Sequence, residues 1–111
     1  MQRFGQIIRL RPEHYDTYKR LHAAVPEPIL AALREANITN YSIYHRGGLL
    51  FAYFEYTGSD LDADMAKVAA DPETHAWWAL TDPCQQPFEG SSTGSREGNW
   101  WLPMESLFHM D

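Results

Sequence analysis

The first third of the chain changes from an alternating pattern of apolar and polar residues to a helical one. Residues 3–10 alternate as a half-buried strand does. The apolar face of this strand holds Phe4, Ile8 and Leu10. Over residues 13–34 the apolar and aromatic side chains recur every three or four positions, which predicts one amphipathic helix face. Because Pro26 and Pro28 each remove a hydrogen bond to the carbonyl four residues earlier, we expect a kink or break there.

Two strands are predicted next, joined by a short turn. Residues 39–45 alternate, and the Arg-Gly-Gly sequence at 46–48 supplies residues that suit a tight turn. One face of this strand carries Tyr41, Ile43 and His45, and the other carries Asn40, Ser42 and Tyr44. Residues 49–56 are apolar at almost every position, which is typical of a strand that is central or covered on both faces.

The second half of the chain predicts two short helices, a long loop and a final strand. Ser59 or Asp60 can cap a helix over 61–70, and Asp71 followed by proline opens another helix that carries Trp77, Trp78 and Leu80. Residues 82–99 are rich in Gly, Ser and Pro, and so long a loop in a small domain is usually functional or mobile. Residues 100–110 alternate as a closing strand, which would point Trp100 and Trp101 to opposite faces.

The predicted order of elements is β-α-β-β-α-β, in one domain over residues 1–111. This is the ferredoxin-like α+β arrangement, an antiparallel sheet with helices on one face. The other face must also be covered, and in a chain of 111 residues a second copy is the simplest cover. We therefore expect a homodimer.

Composition and charge exclude several classes of protein. The net charge is −6, with a balance of +2 over residues 1–55 and −8 over residues 56–111, so a nucleic-acid partner is disfavoured. The single cysteine, Cys84, cannot form an internal disulfide. The sequence has no run of 18 apolar residues and no signal-peptide pattern at its start, which predicts a cytoplasmic protein without a membrane partner.

Tyr18 and His22 are the most suggestive pair of polar residues. They lie four positions apart, so a helix places them side by side, and a phenol beside an imidazole can pass a proton near neutral pH. Such a pair is more often packed structure than catalysis. The consecutive Trp77 and Trp78 point about 100° apart on a helix, so that one can anchor the core while the other lines a cavity. Two tryptophans packed between helix and sheet are an equally good interpretation.

Sequence motifs give no indication of a metal or cofactor. The five histidines form no HxxxH or HxH pair, and GxGxxG, GxxxxGK[ST] and GxSxG are all missing from the sequence. Asp60, Asp62 and Asp64 lack the glycine and terminal glutamate of a calcium loop, so they are better interpreted as a solvated helix start.

Several short motifs, taken together, resemble the L-rhamnose mutarotase family almost from end to end. The motifs are Tyr18-x-x-x-His22, Asn40-Tyr41-Ser42-Ile43-Tyr44, Leu49-Leu50-Phe51-Ala52, Trp77-Trp78 and the closing Phe108-His109-Met110-Asp111. The resemblance implies a dimeric α+β barrel that interconverts the anomers of 6-deoxy sugars. It implies His22 as the proton donor, with Tyr18 beside it in the catalytic pair, and it implies that Tyr18, Tyr41, Trp77 and Trp78 contact the sugar. No metal or other cofactor is required.

Two features of the chain depart from the pattern of the family. The family usually has tryptophan directly before a proline a few residues after the histidine, whereas here Val25 precedes Pro26 and Pro28 follows. The loop over 84–99 is longer than in the smallest members. The sugar is therefore less defined than the reaction, and L-rhamnose, L-fucose and other pyranoses remain open. A cofactorless oxygenase for aromatic substrates and a non-enzymatic ligand-binding protein are the alternative functions for a fold of this type.

Overall fold

The computed structural model of the protein describes residues 1–88, 94–95 and 100–111, and its secondary structure follows the predicted order. The strands are β1 (Gln2–Leu10), β2 (Ile38–Arg46), β3 (Leu49–Tyr56), β4 (Gln85–Gln86) and β5 (Leu102–Met104). The helices are α1 (Tyr15–His22), α2 (Glu27–Glu35), α3 (Leu61–Ala70) and α4 (Pro72–Thr81). Short 3-10 turns precede α1 and follow α4.

The five strands form one antiparallel sheet in the order β2-β3-β1, with both β4 and β5 on the remaining edge of β1. β1 and β3 are paired from Gln2 opposite Tyr56 to Arg9 opposite Leu49. On the other edge, β5 lies opposite Gly5–Ile7 and β4 lies opposite Arg9 and Leu10. The predicted α+β fold with an antiparallel sheet is confirmed.

Local sequence accounts for the way the helices begin. The break between α1 and α2 falls at Pro26, as predicted, and Pro28 lies in the first turn of α2. The Asp60 carboxylate accepts a hydrogen bond from the Ala63 N–H and caps α3. The Asp71 carboxylate does the same for α4 by accepting from the Thr74 N–H. Both predicted cap positions are therefore confirmed.

The helices cover one face of the sheet. Along β3 the even-numbered side chains are buried under the helices, whereas the odd-numbered side chains are half-buried on the other side. Two clusters fill the space between helices and sheet. The first contains Ile8, Leu10, Tyr18, Leu50, Cys84 and Trp100. The second contains Ala36, Ile38, Phe54, Tyr56 and Val68. The opposite side of the sheet, which we call the open face, is covered by none of the described helices and carries Ile7, Phe51 and Tyr53.

A bulge in β2 sets the direction of Tyr41. The pairing of β2 with β3 shifts between Thr39 and Ser42, and Asn40 takes a positive φ of 49°. Tyr41 stacks on Phe54 with ring centroids 5.6 Å apart, so it faces the helices. Ile43 also packs on the helical side, so the prediction that Tyr41 and Ile43 share a face is confirmed, although the strand that carries them is irregular.

The closing strand and the long loop differ from the prediction. Only Leu102–Met104 forms a strand: in its register residue 100 would lie opposite Arg9, where β4 already pairs, and residues beyond 107 would lie past Gln2, where β1 begins. Trp100 and Trp101 precede the strand, and both pack on the first cluster, so the prediction that they face opposite ways is wrong. The predicted loop begins with a 3-10 turn and β4 instead, and its residues 89–93 and 96–99 lie outside the described residues.

Candidate active site

His22 is the last residue of α1 and is held by the helix that carries it. Its Nδ1 lies 2.9 Å from the carbonyl oxygen of Tyr18, four residues earlier. A carbonyl only accepts, so this contact assigns the proton to Nδ1 and leaves the lone pair on Nε2. Among the described residues Nε2 has no hydrogen-bond partner. The imidazole is thus oriented with one nitrogen available to a ligand.

The surroundings of His22 favour its neutral form. Burial lowers the pKa of His22 below its usual value, and the hydrogen bond to the Tyr18 carbonyl opposes part of that shift. A histidine with a lowered pKa is neutral at pH 7 and ready to accept a proton at Nε2. The neighbouring rings are the cause of the burial: Tyr18 lies 4.1 Å away and Trp77 5.3 Å away, between ring centroids.

Tyr18 is buried between α1 and the sheet. Its hydroxyl donates to Gln85 Oε1 at 3.0 Å, across 67 residues of sequence. Only 5% of Tyr18 and 4% of Gln85 are exposed. Burial raises the pKa of Tyr18 far above its usual value, so the phenol stays protonated.

Two adjoining cavities lie beside this pair. The larger has a volume of about 390 Å³ and the smaller about 70 Å³. Both are lined by His22, Tyr41, Ile43, Trp77 and Trp78. The structure thus brings four of the predicted site residues to both cavities, and the fifth, Tyr18, lines the smaller one.

Trp77 and Trp78 both line the site, but their rings contact different residues. Trp77 presents an edge-on contact to His22 with ring centroids 5.3 Å apart. Trp78 packs on the second cluster and stacks on His75 at 6.2 Å. Both tryptophans line both cavities, and Trp78 in addition packs on the core, so the division of one tryptophan for the core and one for a cavity is not what the structure has. Tyr41 completes this wall, and desolvation raises its pKa to about 12 although 42% of the residue is exposed.

The two cavities differ in chemistry. The larger is mostly apolar, and the side chains that only it contacts are Val25, Ile29, Leu30, Leu33, Met65, Val68 and Thr74. The smaller adds the polar Tyr18, Thr81, Gln85 and Ser95, together with Trp101. Val25, which precedes the break at Pro26, lies on the apolar side.

Sequence reasoning missed Gln85, Thr81 and Trp101 as parts of the site. Gln85 and Trp101 fall in or beside a segment that reads as loop, and Thr81 ends a helix whose apolar pattern is weak. The only signal for Gln85 is its polarity beside the buried Cys84, which is too general to identify a site. Among the described residues, no three or more His, Cys, Asp or Glu side chains are grouped so that they could hold a metal ion.

Comparison with known proteins decides the family. The family model for L-rhamnose mutarotase matches residues 3–110. This chain belongs to the L-rhamnose mutarotase family. As a member it is a carbohydrate isomerase of the kind that interconverts anomers. In the described part of the chain, no helix has the length and apolar character needed to cross a membrane.

Individual relatives match this mutarotase over most of their own length. It is 32% identical to an L-rhamnose mutarotase of Ligilactobacillus salivarius, with 98% of this chain and 97% of the relative covered. It is 30% identical to an L-fucose mutarotase of Xanthomonas campestris, with 86% and 81% covered. The crystal structure of an L-rhamnose mutarotase from Formosa agariphila matches the whole of both chains, with a TM-score of 0.77 and 18% identity.

Proposed function

We propose that this mutarotase binds the pyranose form of L-rhamnose or a related 6-deoxy sugar such as L-fucose, and that His22 transfers the proton. The observation that carries the proposal is the orientation of His22. Its Nδ1 is fixed on the Tyr18 carbonyl at 2.9 Å, and its other nitrogen belongs to a ring that lines both cavities. A neutral, oriented imidazole is the group that general acid-base catalysis needs near pH 7.

The reaction requires two proton transfers and one bond cleavage. Nε2 of His22 accepts the proton of the anomeric hydroxyl, the bond between C1 and the ring oxygen breaks, and the ring oxygen takes a proton from water. The resulting aldehyde rotates about its C1–C2 bond. In the return step the C5 hydroxyl attacks the other face of C1 and gives its proton to the hydroxide left by the water, while the imidazolium acts as proton donor to the carbonyl oxygen. A single positioned histidine contributes roughly 10²–10⁴-fold, which suffices for a reaction that already proceeds in water.

The remaining residues of the site fit the two sides of a 6-deoxy sugar. Trp77, Trp78 and Tyr41 offer ring faces and edges for the C–H side of a pyranose. The apolar cavity, with Val25 and Ile29 in its lining, suits the methyl group that a 6-deoxy sugar carries in place of a hydroxymethyl group. Tyr18 stands beside His22 on the polar side, where the sugar hydroxyls would bind.

Saturation transfer between the α and β anomeric protons tests the activity directly. We expect the protein to accelerate anomer exchange of L-rhamnose, and a panel of L-fucose, D-glucose and D-galactose to rank the substrates. Exchange rates equal to those of buffer for every sugar in the panel would rule out the proposal. Binding of a sugar without faster exchange would instead indicate a ligand-binding protein.

We further propose a homodimer in which the open face of one copy packs against that of another. The open face carries half-buried apolar side chains of β1 and β3, and Leu102 and Met104 of β5 pair beside them. The C-terminal segment 105–111 lies next to this face, since Arg3 forms an ion pair with Asp111 at 3.2 Å. This segment exposes three large apolar side chains: Leu107 is 86%, Phe108 is 82% and Met110 is 77% exposed. A second copy would remove both surfaces from water.

Sedimentation at micromolar concentration tests the dimer. The wild-type protein should sediment as a dimer, and Phe51→Glu on the open face should give a folded monomer. Leu80→Glu is the matched control, because Leu80 is exposed on the helical side of the protein and should leave the dimer intact. A monomeric wild type would contradict the proposal.

A cytoplasmic location and a single domain over residues 1–111 stay predictions.

A further inference from the structure

We infer that Gln85 is a positioning residue: it fixes the Tyr18 phenol as a hydrogen-bond acceptor for a sugar hydroxyl. The inference rests on the proposed function, since it concerns the same cavity. Gln85 lies in β4, the two-residue strand that pairs with Arg9 and Leu10 of β1. That pairing holds the amide of Gln85 under α1, where its Oε1 meets the Tyr18 hydroxyl.

The direction of this hydrogen bond determines what Tyr18 can do. A phenol has one proton, and here it is donated to Gln85 Oε1 at 3.0 Å. The lone pairs of the phenol oxygen remain, and none of the described residues donates to them. Tyr18 therefore accepts a hydrogen bond from the substrate and does not supply a proton to it. Proton transfer is left to His22.

Gln85 also brings a donor of its own to the small cavity. It lines that cavity together with Tyr18, and its amide nitrogen has no partner among the described residues. Among the described residues, Trp100 Nε1 is the side-chain nitrogen or oxygen that has neither solvent access nor a hydrogen-bond partner. The amide nitrogen of Gln85 also has no partner but is not enclosed in this way, so it is accessible from the cavity. A phenol oxygen that accepts beside an amide that donates matches a sugar hydroxyl, which does both.

The expected kinetic effect follows from this role. A hydrogen bond to a hydroxyl away from C1 is made equally in the ground state and the transition state, so its loss raises KM and leaves kcat unchanged. Gln85→Met keeps the size of the side chain and removes both polar atoms. We expect KM for L-rhamnose to rise about fivefold to tenfold, the scale of one lost hydrogen bond.

The matched control is Gln86→Met in the same strand. Gln86 is exposed, and it should leave KM at the wild-type value. The decisive comparison uses Tyr18→Phe and the double variant Tyr18→Phe/Gln85→Met. If Gln85 acts through the phenol, the KM rise of the double variant should be clearly smaller than the product of the two single rises. A purely structural Gln85 would lower the melting temperature and leave KM unchanged.

Three results would overturn the inference. They are a wild-type KM in folded Gln85→Met, a fall in kcat with KM unchanged, and KM effects of Gln85→Met and Tyr18→Phe that multiply in the double variant. If Gln85→Met does not fold, Gln85→Glu replaces it: a carboxylate keeps the acceptor for the Tyr18 hydroxyl and loses only the amide donor, so its KM should rise less than that of Tyr18→Phe, and an equal or larger rise would contradict us. Wild-type protein without anomer exchange would instead defeat the proposed function itself.

Discussion

Two buried tyrosines of this mutarotase make opposite use of their hydroxyl groups. Tyr56, at the end of β3, donates to Asp64 Oδ2 at 2.5 Å and accepts from the Asp60 N–H at 2.8 Å. Tyr18, in α1, donates to Gln85, and none of the described residues donates to it in return. The first phenol is saturated by the protein, whereas the second keeps acceptor capacity beside a cavity.

The surroundings of the two tyrosines show why only one of them keeps an open hydrogen-bonding position beside a cavity. The carboxylate of Asp64 also accepts from Asn37 and Lys67, and the hydrogen bonds from Tyr56 and Asn37 hold the pKa of Asp64 below its usual value. This closed network joins α3 to the sheet. The hydrogen bond of Tyr18 ends instead on a neutral amide that itself lines the small cavity. Polar groups that the fold leaves unsatisfied are those available to a ligand.

The largest effect that we expect comes from the group beside Tyr18. His22→Asn keeps hydrogen-bonding capacity but removes the group that titrates near neutral pH, so anomer exchange should fall about 10²-fold or more. Saturation transfer on L-rhamnose measures the exchange, and circular dichroism checks that the variant is folded. A folded variant with wild-type exchange would show that His22 only packs against its neighbours. The region around Tyr18 would then have no catalytic role that distinguishes it from the region around Tyr56.

Substitution of the cavity wall should give the next largest effect. Trp77→Ala removes the ring that contacts His22 edge-on and lines both cavities, so sugar binding should weaken by about 1–3 kcal/mol. Titration of the remaining tryptophan fluorescence with L-rhamnose measures the dissociation constant. His75→Ala, on the far side of Trp78, is the control and should leave binding unchanged. Equal losses from both would place the sugar outside the cavities.

Removing each tyrosine hydroxyl in turn tests the comparison itself. Tyr56→Phe breaks a hydrogen bond to a carboxylate and leaves the Asp60 N–H unpaired, so it should lower the melting temperature by several degrees at unchanged KM. Tyr18→Phe should raise KM about fivefold to tenfold with a smaller thermal shift. Thermal unfolding and kinetics on the same two proteins give both values. If instead Tyr56→Phe raised KM and Tyr18→Phe mainly lowered the melting temperature, our assignment of the two regions would be reversed.

The smallest effect concerns the pH dependence of stability. Burial lowers the pKa of His22, so the unfolded chain binds more protons just below pH 6.5, and stability should decline as pH falls through that range. The pKa of Asp64 is also lowered, so its contribution should persist down to about pH 4 and be lost only below it. Urea unfolding between pH 7 and pH 3 should resolve the two ranges. In His22→Asn only the lower one should remain.

Much of the fold could be predicted from patterns that are local in sequence. The alternation over residues 3–10, the helical spacing before Pro26 and the caps at Asp60 and Asp71 depend on neighbours a few positions away, and the structure confirms each of them. The prediction failed for residues 100–110, where strand formation depends on how much of the β1 edge remains free. That competition between β4 and β5 has no local signal.

The same division holds for the site. The sequence by itself determined that Tyr18 lies beside His22, because four residues make one turn of a helix, and it placed Trp77 and Trp78 on a second helix. Only the tertiary structure decided that both tryptophans reach the same cavities and that the phenol of Tyr18 ends on Gln85. The physical reason is the distance in sequence: a contact across 67 residues depends on strand pairing, which no spacing within a helix or strand encodes.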